Sequence, residues 1–479
     1  MIATPDAATH TQGSFRDPAG SVFQYDRRIV RVVHPGSIAE LEEFLTTKTA
    51  CEAVESGALV RSRRVSPRDF PALDLDGDEA VFEHERIPFA SYPYEWPPEM
   101  LHAAGALTLD LAIAALEDGF GIKDATPYNV LFRGARPVFI DVLSFERRDD
   151  RDQTWMAYAQ FVRTFLLPLL VNRHFRLPLL QTLAGHRDGL EPETVYRWAG
   201  LWRRLTPPFL GLVSLPKWLG GNGRADASLY QAKRAASPEQ ARYILGSLLK
   251  SCRRQLDSVQ PQTGGDSTWT GYLDNKSLYS AQQLAEKEAF VQEALELARP
   301  AKVLDIGANE GRFSLQAARS GASVVAIDFD PAVVGSIWRK ASAESLDVLP
   351  LVVDLARPTP ATGWRNQECA SFLNRSKDEF DLVMMLAVAH HMLVTERIPL
   401  DDLLALAGEL SRDYVLIEFV APEDAMFREI VRGRESLYSH LTQNRFEAAA
   451  QARWELVRSK RITGLHRCLY LYRKRRGKI

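Results

Sequence analysis

Apolar and polar residues in the C-terminal part of the chain follow the pattern of strands separated by helices. Short, fully apolar runs bounded by turn residues are typical of the buried strands of a parallel sheet. Five such runs follow one another, at 303–306, 323–327, 351–355, 380–386 and 414–419. A helix is predicted over 280–298, ahead of the first run, and the runs at 454–460 and 468–472 predict a closing antiparallel pair. The pattern indicates an α/β domain over 276–479.

The turn after the first strand is rich in glycine and has acids on both sides. It reads Asp305-Ile306-Gly307-Ala308-Asn309-Glu310-Gly311, and the next strand ends in Asp328. Glycine lets the backbone approach a ligand closely, and the free N–H groups at a helix start are hydrogen-bond donors. A carboxylate at the end of the second strand can accept hydrogen bonds from a ribose diol in the same crevice. This order predicts a nucleotide-type cofactor site.

The D-x-G-x-x-x-G turn resembles motif I of class I S-adenosylmethionine (SAM) methyltransferases, whereas a dinucleotide motif has a glycine in place of Asn309. The resemblance continues through the later strands and implies a Rossmann-like domain with a seven-stranded sheet and SAM as cofactor. By this resemblance, Asp305 orients the amino-acid or ribose end of SAM, and Asp328 binds the ribose hydroxyls. Asp354 and Leu355 would face the adenine. The implied cofactor-binding residues are Asp305, Gly307, Ala308, Asn309, Gly311, Asp328, Phe329, Asp354, Leu355 and Leu386.

Two adjacent histidines, His390 and His391, follow the fourth strand. Ligands bind at the carboxyl ends of strands in open parallel sheets, and histidine titrates near neutral pH. Either ring is therefore a candidate base that takes a proton from a hydroxyl or amine acceptor. The alternative for each ring is packing or capping of the next segment. Methyl transfer from a sulfonium needs no metal, and none is predicted in this domain.

The N-terminal part of the chain has a different pattern. Residues 21–33 alternate about a turn and predict a hairpin, and 101–116 predicts a long apolar helix. Further along, the chain is rich in Leu, Arg and Trp at helical spacing, with a loop expected at 215–223 because of its glycines. The predicted organisation is a disordered segment at 1–20, a core at 21–150, a helical lobe at 151–260, a linker at 261–275 and the SAM-binding domain at 276–479.

The segment after the long N-terminal helix resembles the catalytic core of the protein-kinase and aminoglycoside-kinase superfold. Asp124 and Asn129 have the D-x-x-x-x-N spacing, and Asp141 follows a predicted hairpin. In an active site of this kind, Asp124 would accept a hydroxyl proton, and Asn129 and Asp141 would hold Mg²⁺ against ATP phosphates. The sequence has no glycine-rich loop and no convincing lysine on a third strand. We therefore expect a degenerate, pseudokinase-like α+β domain that serves as a scaffold or substrate platform. An active phosphotransferase and a chance match on an unrelated fold are the alternatives.

Composition narrows the choice of partners and location. The chain has 46% hydrophobic and 25% charged residues, as is typical of a globular protein, and its 59 basic and 61 acidic residues give a net charge of −2. Neither a nucleic acid nor a membrane is indicated as a partner. The four cysteines are scattered without a C-x-x-C pair, so that we expect neither disulfides nor a zinc site, and a cytoplasmic location. The oligomeric state stays open.

The combination of the two regions resembles a bacterial group that includes nodulation-factor host-specificity methyltransferases. This resemblance implies a carbohydrate-like or small-molecule hydroxyl acceptor, and hence O-methylation. Three alternatives remain: a bifunctional phosphotransferase and methyltransferase, an RNA methyltransferase, and a non-catalytic SAM-binding scaffold. The balanced charge disfavours RNA, and the acids at both strand ends disfavour a scaffold.

Overall fold

The computed structural model describes residues 9–10, 16–25, 27–71, 73, 75, 77–219, 234–261 and 279–475. The chain divides into two compact units. The N-terminal unit consists of residues 1–263 and 361–370, and the C-terminal unit of residues 264–360 and 371–479. The linker predicted at 261–275 lies outside the described residues except for residue 261.

A five-stranded antiparallel sheet begins the N-terminal unit, in the order β1-β2-β3-β5-β4. Its strands are β1 (Thr9–His10), β2 (Gly20–Tyr25), β3 (Arg28–Val33), β4 (Ser62–Val65) and β5 (Ala80–His84). The antiparallel pairing of β2 with β3 confirms the predicted hairpin. Disorder was expected over 1–20, of which 1–8 and 11–15 lie outside the described residues. In the described part, Thr9–His10 pairs with β2, and Asp17 forms an ion pair with Arg31, 14 residues away. The polar composition of the segment did not reveal these partners.

The long apolar helix predicted near 101–116 is α3 (Pro98–Glu117). By length and composition alone this helix could cross a membrane, but 56% of its most apolar window is buried inside the structure. The core helix of a globular unit has the same hydropathy. Met100, Leu101 and Leu109 are fully buried, which favours a core helix.

Two short ladders follow α3 in the N-terminal unit. β6 (Phe120–Ile122) pairs with β9 (Phe145–Arg147), and β7 (Val130–Arg133) pairs with β8 (Arg136–Phe139), both antiparallel. Asn129 directly precedes β7 and Asp141 closely follows β8, and the amide of Ile140 donates to the carbonyl of Asn129 at 2.9 Å. The β7–β8 hairpin therefore brings Asn129 and Asp141 together at its open end.

The described part of the region 151–260, which leaves out 220–233, is mostly helical. α4 (Tyr158–Phe161) runs through a π-helical turn, Val162–Leu166, into α5 (Leu167–Phe175). The other helices of the unit are α1 (Pro35–Leu45), α2 (Lys48–Ser56), α6 (Leu179–Leu183), α7 (Pro192–Trp198), α8 (Leu201–Arg204), α9 (Leu215–Leu219) and α10 (Pro238–Ser258). A loop was predicted at 215–223. Leu215–Leu219 is helical instead, and 220–223 lies outside the described residues. The preceding turn, Leu210–Ser214, is anchored by buried Leu212 and Val213, and the chain continues from it as a helix.

Residues 361–370 belong to the N-terminal unit, although the SAM-binding domain was predicted to be continuous over 276–479. The Glu368 side chain, 1% exposed, forms ion pairs with Arg16 at 2.6 Å and with Arg187. The amide of Ala370 donates to the Tyr92 hydroxyl at 3.0 Å. Ion pairs and hydrogen bonds between distant residues leave no trace in hydropathy, and so the pattern could not assign this segment.

A seven-stranded sheet forms the centre of the C-terminal unit, in the order β12-β11-β10-β13-β14-β16-β15. Its strands are β10 (Lys302–Ile306), β11 (Ser323–Asp328), β12 (Val348–Val352), β13 (Phe380–Met385), β14 (Ser411–Val420), β15 (Trp454–Arg461) and β16 (Arg467–Lys474). The first five are parallel, and β16 is antiparallel to β14 and β15. The predicted Rossmann-like sheet with its closing antiparallel pair is confirmed.

Helices precede, connect and follow the parallel strands of the C-terminal unit. They are α11 (Ala281–Ala298), α12 (Arg312–Arg319), α13 (Pro331–Glu344), α14 (Phe372–Ser376), α15 (Ala389–Val394), α16 (Leu400–Leu410), α17 (Ala425–Val431), α18 (Glu435–Tyr438) and α19 (Gln443–Gln451). α11 is the helix predicted ahead of the first strand, and a capping box of Ser280 and Gln283 starts it. β10 lies between β11 and β13, which is the position in such sheets where a crevice opens.

Gly311 precedes α12 and has a left-handed backbone conformation with φ +79°. A Cβ at this position would lie 2.8 Å from Cγ1 of Ile337 on α13, closer than carbon atoms approach. Gly321, after α12, has φ +96° but no heavy atom within 4 Å of a Cβ. The two glycines therefore share the backbone requirement and differ in the space that surrounds them.

We predict that Gly311→Ala lowers the free energy of unfolding by about 3 kcal/mol, since the left-handed conformation and the contact with Ile337 both penalise a Cβ. Gly321→Ala is the matched control and should cost about 1 kcal/mol, because it meets only the backbone penalty. Urea unfolding of the full-length protein without ligand measures both. Equal losses of unfolding free energy in the two variants would show that the Ile337 side chain can move away from the added Cβ without a loss of stability.

Candidate active site

A cavity of about 260 Å³ lies at the carboxyl ends of β10, β11 and β13 in the C-terminal unit. The sequence-predicted residues that line it are Asp305, Gly307, Ala308, Asn309, Asp328, Phe329, Asp354, Leu386, His390 and His391. Gly311 and Leu355 were predicted as well but do not line the cavity. Gly311 is the N-cap of α12, and Leu355 is buried in the core. The structure thus brings together residues from four separate loops.

The loops after β10 and β13 are in contact at Gly307. Its backbone is left-handed with φ +70°, and a Cβ would lie 2.9 Å from Cγ2 of Val388. Asn309, two residues later, donates its amide to Oδ2 of Asp328 at 2.9 Å. The side-chain oxygen of Asn309 is buried and has no hydrogen-bond partner among the described residues. Buried polar atoms are rarely left unpaired, so that this oxygen fits a ligand that brings a donor.

Asp305 lies on β10 and is 2% exposed. The Ser314 hydroxyl of α12 donates to its Oδ2 at 2.6 Å. Burial raises the pKa of the Asp305 carboxyl to about 6, against the effect of this hydrogen bond and of the Lys287 charge. A cation in the cavity would stabilise the ionised carboxylate, because the described surroundings only partly compensate its charge.

Asp328 ends β11 and organises the loop around it. Its Oδ2 accepts from the amide of Asn309, and its Oδ1 accepts from the amide of Asp330 at 3.1 Å. Burial raises the pKa of the Asp328 carboxyl, while these amides act in the opposite direction. A carboxylate oxygen has two lone pairs, so that these bonds leave acceptor capacity for a diol.

Asp354 lies in the loop two residues beyond the end of β12. Its Oδ1 accepts from the amide of Ala356 and its Oδ2 from Arg357, both at 2.9 Å. The side chain thus shapes its own turn and also lines the cavity.

His390 and His391 begin α15, with ring centroids 4.3 Å apart. His390 is 3% exposed, and its Nδ1 has no hydrogen-bond partner among the described residues. Burial lowers the pKa of His390 well below its ordinary value, and the charges of Arg467 and Lys287 add to this. Burial also lowers the pKa of the half-buried His391. Both rings are therefore held toward the neutral form that can accept a proton.

A buried network of charges completes the cavity wall, and it joins Tyr279, Lys287, Glu418, Asp424 and Arg467. Glu418 accepts from the Tyr279 hydroxyl and from Lys287 Nζ, both at 2.6 Å. Arg467 donates twice to Asp424, each time at 2.9 Å, and also to the Tyr279 hydroxyl. We call these five residues the buried charge network. Four of its members are ions, two of each sign, so that the network is neutral overall.

Local sequence patterns did not place Tyr279, Lys287, Asp424 and Arg467 in one network. In the structure Tyr279 is 7% exposed, and the other three are each 3% exposed. A signal was present in the chain. Glu418 interrupts the apolar strand β14, and an acid at such a position needs a buried partner. The partners of Glu418 are distant in the sequence, so that no local pattern identifies them.

The kinase-like residues of the N-terminal unit form a separate hydrogen-bonded group. The side-chain amide of Asn129 donates to the carbonyl of Asp124 at 3.0 Å and to the Ser144 hydroxyl at 2.9 Å. Ser144 in turn donates to Asp141, and Arg31 of β3 forms an ion pair with Asp141 at 2.8 Å. The three residues with the predicted kinase-like spacing are therefore adjacent.

Arg31 places a positive charge 2.8 Å from Asp141, one of the residues predicted to hold Mg²⁺ in an active site of the kinase kind. Burial raises the pKa of the Asp141 carboxyl, but Arg31 and Ser144 outweigh burial, and the net pKa is lowered. Burial and the neighbouring Asp141 charge raise the pKa of Asp124. Over the described ranges, no group of three or more His, Cys, Asp and Glu side chains is arranged to hold a metal ion. The geometry favours an arginine-neutralised Asp141 over a metal site at Asp124, Asn129 and Asp141.

We predict that Lys287→Met lowers the free energy of unfolding by about 3 kcal/mol, because it leaves Glu418 buried without its cation. Adding Glu418→Gln should restore about 2 kcal/mol, since the amide is neutral and its oxygen still accepts from Tyr279. The exposed pair Arg319–Glu344 serves as the control, and Arg319→Gln should cost less than about 1 kcal/mol. Urea unfolding of the four proteins measures these terms. A double variant less stable than Lys287→Met would contradict the pairing.

The family model described as a methyltransferase domain matches residues 279–470, a range that includes every residue lining the cavity. The chain is 29% identical over 477 residues to the nodulation protein NoeA of Rhizobium meliloti (strain 1021), an alignment that covers 99% of this chain and 98% of that protein.

Among solved structures, the N-methyltransferase NodS from Bradyrhizobium japonicum WM9 in complex with S-adenosyl-L-homocysteine is 16% identical, with a TM-score of 0.31. The match covers 46% of this chain and 97% of NodS. Magnesium protoporphyrin IX methyltransferase from Synechocystis PCC 6803 is also 16% identical, with a TM-score of 0.31, over 43% of this chain and 94% of that chain. Residues 279–470 are a methyltransferase domain, and the protein is an enzyme that uses S-adenosyl-L-methionine as its cofactor.

Proposed function

We propose that the protein transfers the methyl group to a hydroxyl oxygen of a small-molecule or carbohydrate-like acceptor. The observation that supports this most directly is the position of two histidines with lowered pKa values on the wall of the cavity. A hydroxyl has to lose its proton as its oxygen becomes an ether, and a nearby imidazole can accept that proton. An acceptor that is already deprotonated, such as a carboxylate, would not need such a base.

The residues present in the cavity fit the cofactor. S-adenosyl-L-methionine supplies an electrophilic methyl group on a positively charged sulfur, which leaves as a neutral thioether when the acceptor oxygen takes the methyl. Asp305 is a buried acid near the end of β10 and Asp328 is a half-buried acid at the end of β11, so that they suit a cation and a ribose diol. The unpaired side-chain oxygen of Asn309 adds an acceptor between them.

We assign the role of base to His391 rather than His390. His390 is 3% exposed and its pKa lies well below the ordinary value, so that it is a weak proton acceptor. His391 is half-buried and lines the same cavity, and its pKa is lowered less strongly. A catalytic base works best when its pKa is close to the operating pH. His390 then packs beneath His391 and fixes the start of α15.

The choice of a carbohydrate-like acceptor rests on resemblance. The full-length relative is a nodulation protein, and the sequence resembles nodulation-factor methyltransferases. We further propose that the N-terminal unit is a pseudokinase-like platform that binds the acceptor and has no phosphotransferase activity. The ion pair between Arg31 and Asp141 supports this, because a metal ion would have to displace the arginine.

Methyl transfer from labelled S-adenosyl-L-methionine tests the proposal directly. The purified protein is incubated with a panel of oligosaccharides, small phenols, small amines and transfer RNA, and the product atom is located by mass spectrometry and NMR. We expect label as an O-methyl group on an oligosaccharide or phenol. Label on an amine or on RNA would replace the proposed acceptor class. If the cofactor binds but no compound is labelled, the proposal of a carbohydrate-like or small-molecule hydroxyl acceptor is contradicted.

Once an acceptor is identified, the role of His391 can be tested. We predict that His391→Ala lowers kcat by about 100-fold, because the base that removes the proton is lost. The Kd of the cofactor should be nearly unchanged, because the cofactor contacts are kept. His390→Ala should have a smaller effect on kcat. The exposed His440, outside the cavity, gives the control variant His440→Ala. A larger loss of kcat in His390→Ala than in His391→Ala would reverse the assignment.

Cofactor affinity should depend on pH through Asp305. Its pKa of about 6 means that the carboxyl is mostly neutral near pH 5 and mostly ionised near pH 7. Only the ionised form attracts a cation, so that we expect binding to tighten about tenfold between these values. Asp305→Asn should bind more weakly at both and lose most of the pH dependence. Isothermal titration calorimetry measures the four constants, and an unchanged slope in the variant would rule out Asp305 as its source.

A further inference from the structure

Three tryptophans and four leucines of the helical lobe form an exposed apolar surface. We call Trp198, Leu201, Trp202, Leu205, Leu215, Trp218 and Leu219 the tryptophan patch. The exposed fractions are 82% for Trp202, 80% for Leu219 and 68% for Leu201. In the described part of the chain seventeen large hydrophobic side chains are exposed, and seven of them fall within 198–219. Such a concentration on one surface marks an interaction site rather than scattered exposure.

The helices that carry the tryptophan patch are packed against one another and against the rest of the lobe. α7, α8, α9 and the turn Leu210–Ser214 contact one another, and Val195, Phe209, Leu212 and Val213 are buried beneath them. The Phe209 ring meets the His174 ring at 5.0 Å and the Phe175 ring at 5.9 Å. These helices therefore have one apolar set that holds them to the lobe and a second that faces outward. Packing does not require the second set.

Basic side chains are interspersed with the tryptophan patch. Residues 192–219 contain the four cations Arg197, Arg203, Arg204 and Lys217 and the single acid Glu193, a net charge of +3 from 4 − 1. Among the described residues none of the four cations forms an ion pair with a carboxylate. Arg203 and Arg204 lie over the rings of Phe175 and Tyr196, at 5.1 and 4.0 Å. The surface thus combines large apolar groups with positive charge not matched by acids around it.

We propose that the tryptophan patch docks the protein on the surface of an anionic lipid membrane. Tryptophan prefers the interface between headgroups and hydrocarbon, and exposed leucines can enter the acyl region. Arginine and lysine beside them are attracted to anionic headgroups. α7, α8 and α9 are far too short to span a bilayer, so that they would lie in its surface.

The side-chain chemistry favours lipid over other occupants. Four of the seven residues are leucines, which cannot stack on bases, and this disfavours single-stranded nucleic acid. A second copy of the chain would bring the same positive charge to the contact, which costs free energy without a matching acid. The sequence as a whole gave no indication of a membrane, because its charges balance over the full length. The exposure of these side chains is visible only after folding.

Vesicle flotation of the full-length protein tests the inference. Vesicles of phosphatidylcholine alone and with about one-third phosphatidylglycerol are mixed with the protein and floated on a density gradient. We expect the protein to float with the anionic vesicles and to be released from them as salt is raised. The variant Trp202→Ser with Leu219→Ser should lose at least about tenfold in binding, because both side chains are almost fully exposed.

Two further variants separate the causes. Trp364→Ser removes an exposed tryptophan outside the patch and should float like the wild type. Arg197→Gln with Lys217→Gln should reduce the preference for anionic over neutral vesicles while keeping the apolar contact. Thermal unfolding and cofactor titration of each variant verify that it is folded.

Four results would overturn the proposal. The first would be a folded wild type that does not float with anionic vesicles, and the second a Trp202→Ser, Leu219→Ser variant that floats as well as the wild type. The third would be a dimer, detected by sedimentation, that this variant dissociates, because the patch would then bind a second copy. The fourth would be a loss of stability in this variant as large as that of a core substitution, because another part of the chain would then cover the patch.

Discussion

The position of β10 between β11 and β13 determines most of what the C-terminal unit can do. The chain adds strands first on one side of β10 and later on the other, and a crevice opens in such sheets where the direction changes. The loops after β10 and β13 approach each other at Gly307 and Val388, and Asp305, Asp328 and the two histidines line the same cavity. Residues far apart in the sequence become neighbours through strand order alone.

The acids and the bases that line the cavity differ in how their charges are compensated. Asp305 is buried and Asp328 is half-buried, and the pKa values of both carboxyls are raised, so that their ionised forms gain from an incoming positive charge. Lys287 and Arg467 already form ion pairs with Glu418 and Asp424. The lining therefore combines under-compensated acids with a charge network that is neutral overall.

Local sequence signals were sufficient for the sheet and for most of the cavity. Apolar runs, the glycine turn and the acid at the end of β11 are features of adjacent residues, and each predicts a structure that folding only assembles. The buried charge network was missed since its members lie on α11 and just ahead of it, on β14, on β16 and in the loop before α17. The same reason explains the ion pair between Arg31 and Asp141. In each case one half of the pair is recognisable, but the partner depends on the fold.

Residues 361–370 have a consequence for how the chain can be divided. They belong to the N-terminal unit, while the residues on both sides of them belong to the C-terminal unit. The chain therefore passes between the units three times, and a cut in the region 262–278 severs only one of these passages. A fragment beginning at Tyr279 would carry Glu368 and Cys369, both buried in the intact protein, without the arginines and tyrosines that surround them. The N-terminal unit is thus completed by a segment that lies within the sequence of the other unit, and a cut ahead of Tyr279 would separate its two parts.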